Sequence, residues 1–236
     1  MNEDRQKTPL RGVRKVIAQR MQESLKSTAQ LTYHADADVT DLMEVRRHWK
    51  ADGRHISLED CLLFALTRTL RELTDFNGVA DESSFTPSAT VDMALAISSP
   101  NGLMTPVLRG IESLSLDDLA RKRRDTVERA LAGKLAVSEM KGGSFTLSNL
   151  GHTRVKYFTP ILNAGQIGIL GVGRMIQQLR LSEQQTPKSR SMLPLSLTTD
   201  HRIVDGDPSG RFLTLLCEQL EEFDDATSPS PKAQAV

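Results

Sequence analysis

The stretch from Leu58 to Leu73, LEDCLLFALTRTLREL, is apolar around most of a helical circumference. A helix of that kind has no wide face to give to water, so other elements must cover it on several sides. Ser57 and Asp60 supply a start signal, because serine at the cap and an acid three residues on can satisfy each other's backbone amides. The chain therefore has to build layers around one central helix.

Several segments can form those layers. In LTYHADADV, the residues Leu31, Tyr33, Ala35, Ala37 and Val39 alternate with polar neighbours, which predicts a strand with one wet face. TVDMALAIS reads as a further strand, and GSFTLSNLG, QIGILGVG and MLPLSLTT as three short, mostly apolar ones. Val13, Ile17, Met21 and Leu25 recur every fourth residue in GVRKVIAQRMQESLKS and draw an apolar stripe on a first helix. Asp41 with Glu44 marks a second helix. Ser115 opens LDDLARKRRDTVERALAG, a charged helix ending near Gly133, and PSGRFLTLLCEQLEEF closes the domain as a helix. Strands and helices mix without strict alternation, so the expected class is α/β with a mixed sheet flanked by helices.

No linker or repeat divides the chain of 236 residues, which predicts one domain over 9–223 between polar tails at 1–8 and 224–236. Thirty basic and thirty acidic residues leave no basic excess for nucleic acid. No apolar run approaches membrane-spanning length. Cys61 and Cys217 sit inside apolar patterns and read as reduced core thiols, so a cytoplasmic location is expected.

The chemistry concentrates in TTDHRIVDGD, residues 198–207, where His201 follows Asp200 and precedes Asp205 by four residues. The pair alone fits an ordinary turn histidine. Its setting, between an apolar strand and a helix, is where a rigid scaffold tends to hold catalytic groups, and a neutral imidazole can take a proton near pH 7. GGSFTLSNLG offers hydroxyls at Ser144, Thr146 and Ser148, of which the last two share a face and can serve as oxyanion donors or simply satisfy backbone. The cationic run Arg121–Arg124 reads as a solvated helix face, with contact to coenzyme phosphates as a minor reading. His48 and His55 lack metal-ligand spacing, so no metal site is expected, and GILGVG opens no helix and is no dinucleotide fingerprint.

Together, RKVIAQRM, NGLMTPVLRG, GGSFTLSNLG, FTPILNAGQIGILGVGR and DHRIVDG resemble the catalytic domain of the 2-oxoacid dehydrogenase (dihydrolipoyl) acyltransferases, which share a fold with chloramphenicol acetyltransferase. The likeness runs from about Thr8 to Phe223. It implies that the chain moves an acyl group from a coenzyme A thioester such as acetyl-coenzyme A. His201 would be the general base and Ser148 the oxyanion donor. Asp205 would be an orienting group acting through an arginine, with Arg20 or Arg14 of the first helix as candidates. It further implies a homotrimer in which the histidine of one subunit faces the serine of the next. It assigns no residues to coenzyme A.

The chain also departs from the family pattern. Ala29-Gln30 stands where Pro-His is usual, HTRVKYF follows SNLG, and Gly165 replaces a proline. No lysine sits in a lipoyl-type context, and EEFDDATSPSPKAQAV offers no apolar anchor. These differences predict a closed homotrimer without a larger shell. They favour an O-acyltransferase acting on a small natural-product hydroxyl such as a tetronate, with Gln30, Arg154 and Lys156 reading an acidic acceptor. The alternative is a dihydrolipoyl acyltransferase core that serves a separate lipoyl domain. A non-catalytic assembly relative is a third reading, against which the intact His201, Ser148 and Asp205 count.

Overall fold

The central helix is where the sequence puts it. In chain order the elements are α1 (Gly12–Ser27), β1 (Gln30–Asp38), α2 (Thr40–Ala51), α3 (Leu58–Glu72), β2 (Gly78–Ala80), β3 (Phe85–Pro87), β4 (Met93–Ser99), β5 (Gly102–Met104), β6 (Val107–Leu108), α4 (Leu116–Leu131), β7 (Phe145–Asn149), β8 (Gly168–Val172), β9 (Ile176–Leu181), β10 (Pro187–Asp200) and α5 (Gly206–Glu221). This computed structural model describes residues 9–99, 102–182 and 184–224. The expected tails, 1–8 and 224–236, lie outside the described residues except for Asp224.

Eight strands form a mixed sheet ordered β1-β10-β8-β7-β4-β5, with β6 also on β4 and β9 also on β10. The β4–β7 and β7–β8 pairs are parallel, and β1–β10 and β10–β8 are antiparallel. Alternation sorts the strands onto two unlike faces. Tyr33, Ala35 and Ala37, with Leu95, Leu147, Leu170, Leu195 and Leu197, face one hydrophobic core. That core includes Leu62, Leu63, Leu66 and Leu70 of α3 and Phe212, Leu213 and Leu216 of α5. Phe212 stacks on Phe145, with ring centroids 5.9 Å apart. The opposite face carries Thr32, His34 and Asp36 of β1, Ser196 and Thr198 of β10, Gly171 of β8, and Thr146 and Ser148 of β7. Thr32 bonds Thr198 at 2.7 Å and His34 bonds Ser196 at 3.0 Å across the strands.

Both serine-capped helices form as read. Ser57 and Asp60 close a reciprocal capping box, and Ser115 accepts from the Asp118 amide. Of the predicted stripe on α1, Ile17 and Met21 are half-buried and Leu25 is 53% exposed. Ser24 is buried instead, because its hydroxyl donates to the Leu162 carbonyl at 2.7 Å. Helix α1 is thus tied to the 150–166 loop rather than to the core.

Candidate active site

Strand β10 delivers the chain to Asp200 on the polar face, and a turn over 201–204 leads into α5. Asp200 is completely buried and organises that turn. Its carboxylate accepts from Arg202 Nε at 3.0 Å and Nη2 at 2.7 Å, and from the Arg202 and Ala29 amides at 3.1 Å each. Its carbonyl accepts from the amides of Ile203 and Val204, and the His201 amide donates to Ala29 at 2.8 Å. Burial alone would raise the Asp200 carboxyl, but the Arg202 and amide bonds outweigh it and hold it below the ordinary carboxylate range. The backbone is therefore pinned on both sides of His201.

The His201 imidazole is 40% exposed, and its Nδ1 lies 3.7 Å from Asp205 Oδ1. That is too long for a hydrogen bond. Asp205 stands at the cap of α5 without bonding the helix amides, and is 83% exposed. Neither Arg14 nor Arg20 reaches it among the described residues. Within this chain the carboxylate–arginine pair that fixes the turn is Asp200 with Arg202, both flanking His201. Arginine can clamp a carboxylate two residues away because the turn brings the side chains onto one side.

Ser148 is half-buried near the end of β7, between Ala96 of β4 and Gly171 of β8. Its hydroxyl has no hydrogen-bond partner among the described residues. Thr146, on the same face, is structural: its hydroxyl bonds Gln166, whose Nε2 donates to Gly143 at 2.7 Å. Ser144 likewise bonds the Asp92 backbone. Of the three hydroxyls, Ser148 is the one left for another molecule.

Ser148 and His201 do not meet within one chain. Ser148 is level with Gly171, and Gly171 with Ser196. Asp200 lies four residues further along β10. At ordinary strand geometry that is about 13 Å along and about 10 Å across, or roughly 16 Å between the backbones. No pair of side chains closes that gap, so a site using both residues must draw them from two molecules.

The other predicted positions differ in how they are held. Gln30 pairs with Asp200 beside the turn, yet its Nε2 donates to Ser24 and Thr28 and its Oε1 accepts from the Leu162 amide. It ties α1 and the 150–166 loop to β1. Lys156 lies 3.9 Å from Asp36 and 4.9 Å over the Tyr157 ring, while Arg154 is exposed. The Tyr157 hydroxyl donates to Asp36 at 2.6 Å. The run Arg121–Arg124 is also engaged: Arg121 bonds Asp118, Lys122 the Arg109 carbonyl, Arg123 the buried Asp60, and Arg124 the His55 carbonyl. Asp200 and Arg202 were not singled out by sequence reasoning, although the DHR triplet put a carboxylate and a guanidinium on either side of the histidine. No group of three metal-ligating side chains occurs among the described residues.

Comparison with known proteins now bears on this geometry. The family model described as 2-oxoacid dehydrogenases acyltransferase (catalytic domain) matches residues 2–227. The dihydrolipoyllysine-residue acetyltransferase component of the Bacillus subtilis acetoin cleaving system is 35% identical over 222 residues, covering 92% of this chain and 56% of the relative. The dihydrolipoyllysine-residue succinyltransferase component of the Escherichia coli 2-oxoglutarate dehydrogenase complex is 30% identical, covering 92% and 54%. The chain thus spans about half the length of these curated relatives. Azotobacter vinelandii dihydrolipoamide acetyltransferase superposes with a TM-score of 0.86 at 32% identity, covering 92% of this chain and 91% of that one. That structure concerned a serine, a histidine and an asparagine in the catalytic mechanism, the last two spaced as His201 and Asp205 are. Chloramphenicol acetyltransferase shares the fold, with a TM-score of 0.55 at 21% identity. By its match over nearly the whole chain, the protein belongs to the 2-oxoacid dehydrogenase acyltransferase family, as a catalytic domain of that family.

Proposed function

We propose that this chain transfers an acyl group between a coenzyme A thioester and a dihydrolipoyl thiol, in sites formed between the chains of a homotrimer. The observation that carries this reading is a pair of polar groups, Ser148 Oγ and His201 Nε2, without a hydrogen-bond partner among the described residues, on a family scaffold whose register puts their backbones roughly 16 Å apart in one chain. A neighbouring chain would bring its histidine to this serine.

The reaction then runs as follows. His201 Nε2 takes the proton of the acceptor thiol, and the sulfur forms a bond to the thioester carbon. Ser148 donates to the oxygen as it becomes an oxyanion, where a fixed donor lowers the barrier most. The bond to the departing sulfur breaks, and the imidazolium returns the proton to it. The Asp200–Arg202 clamp holds the backbone that carries the imidazole.

Two observations favour a lipoyl thiol over the small natural-product hydroxyl weighed at the sequence level. The relatives described above are named for dihydrolipoyllysine-residue acyl transfer. Of the changed residues that would have read an acidic small molecule, Gln30 is already bonded to Ser24, Thr28 and Leu162. The partner is then a separate lipoyl-bearing domain. A reducing cytoplasm suits the free thiols of Cys61 and Cys217.

Incubation with acetyl-coenzyme A and dihydrolipoamide tests the reading. S-acetyldihydrolipoamide should form with release of one coenzyme A thiol per turnover, and His201→Ala should slow it about 10²–10⁴-fold. A folded protein that acetylates a small hydroxyl compound with higher kcat/KM than dihydrolipoamide or a lipoyl domain would overturn it.

A further inference from the structure

We propose that Phe158 sets the size of the acyl group, closing the space beside Ser148 so that short chains such as acetyl are accepted and longer ones are turned away. The inference rests on Ser148 as the oxyanion donor, and goes beyond it by naming what bounds the acyl chain.

The argument starts from the neighbours of Ser148 on the polar face. Across β4 stands Ala96, which offers one methyl group. Across β8 stands Gly171, which offers none. That vacancy is filled by the Phe158 ring. A Cβ added to Gly171 would lie 2.7 Å from Phe158 Cζ, with both Cε atoms within 3.2 Å. The glycine is therefore required for the ring to lie against the strand at all. Adjacent strands are about 4.8 Å apart, so the ring tip stands one strand away from the serine that would hold the oxyanion. An oxyanion bonded to Ser148 at about 2.7 Å carries its acyl carbon into this same narrow space.

The wall is fixed rather than adaptable. The Arg174 amide donates to the Val155 carbonyl at 2.8 Å, and the Lys156 carbonyl lies so close to Gly173 that a Cβ there would collide with it. Tyr157 donates to Asp36 at 2.6 Å, which latches the residue before Phe158 to β1. Burial, the bond to Asp36 and the charge of Asp36 push the Tyr157 hydroxyl up to about 12, so the latch keeps its proton at any physiological pH. The loop backbone thus rests on Gly173 and the ring on Gly171, which limits how far either can move. Each methylene beyond acetyl must displace a packed aromatic edge. Such a pocket discriminates by about 10–200-fold per methylene.

The test compares kcat/KM for acetyl-coenzyme A and butyryl-coenzyme A, with dihydrolipoamide as acceptor. In the wild type the acetyl thioester should be preferred. Phe158→Ala should raise the butyryl-to-acetyl ratio by about 10-fold or more, because a cavity replaces the ring. Phe158→Leu, which keeps most of the packing volume, should give a smaller rise and serves if the alanine variant fails to fold. The KM for dihydrolipoamide should stay within about 3-fold of wild type in both. An unchanged acyl ratio in a folded variant overturns the proposal, and so does a change confined to the acceptor KM, which would put Phe158 on the acceptor side. A wild type that transfers no acyl group from either thioester sinks the acyl-transfer reading itself, and with it this one.

Discussion

Replacing Asp200 with alanine should damage stability and catalysis together, by amounts that follow from its contacts. The carboxylate is fully buried and satisfies two backbone amides and one guanidinium. Its loss takes the acceptor from the Ala29 and Arg202 amides, which belong to exposed residues and are only part-buried, so each costs about 1 kcal/mol. Arg202 is one-third exposed and can turn to water, so its share is smaller than that of a fully buried partner. With a small share from Arg202 the sum is about 2–3 kcal/mol, or a fall in Tm of roughly 4–12 °C for a chain of this size. The same loss frees the turn that carries His201. A displacement of about 1 Å at a base costs about 10²-fold in rate. Asp200→Asn keeps an oxygen for the amides but surrenders the charge opposite Arg202, and should lie between wild type and Asp200→Ala in both respects. Urea unfolding and steady-state acyl transfer read the two quantities. An alanine variant within about 1 kcal/mol of wild type, with kcat within about 3-fold, would refute the idea that this clamp positions the histidine.

Further outcomes are expected. Ser148→Ala should lower kcat about 10²–10³-fold with little change in coenzyme A affinity, because its bond strengthens only in the transition state; equilibrium binding of coenzyme A separates the two effects. The folded Asp200 carboxyl titrates below its unfolded value of about 3.9, so its stabilisation is present above about pH 4 and is lost as pH falls through the lower folded value. Urea unfolding at pH 3 and pH 6 should therefore show a larger acid loss for wild type than for Asp200→Asn. Burial pushes the Cys61 and Cys217 thiols up to about 12. Iodoacetamide at pH 7.5 should leave both unmodified in the native protein and alkylate both in urea.

Much of the fold is legible in the sequence because local and tertiary demands agree there. The Ser57–Asp60 and Ser115–Asp118 pairs announce α3 and α4, and each cap forms. The alternation of β1 is matched by a strand over Gln30–Asp38 with a core face and a polar face. The first half of β10 is not legible. Pro187–Arg190 is polar because it leaves the core to pair with β9, itself polar apart from Ile176, Leu179 and Leu181. The edge pieces β2, β3, β5 and β6 are two or three residues long, too short to show a period. Asp41 does not cap α2; Thr40 begins the helix, and Asp38 accepts the Thr40 amide and hydroxyl. At the site, the motif points to His201 and Ser148, and the alternation puts Ser148 on one face with Thr146, as the strand register does. What no single sequence shows is the strand order that separates the two, or that Gln30 is bonded to Ser24 and Leu162. Those facts belong to pairings in space, such as Gln30 with Leu162 across 132 positions of chain, which no local pattern records.

The proposed division of the site between two chains of a trimer can be measured directly. His201→Ala and Ser148→Ala are each expected to be nearly inactive. Co-expressed in equal amounts, they should mix at random in the trimer, and a site is complete when a chain that keeps its histidine adjoins one that keeps its serine. Each condition holds for half the chains, so about one quarter of wild-type activity should return. A mixture verified as mixed trimers that stays at the activity of the single variants would contradict the account, since it would mean that each site takes both residues from one chain.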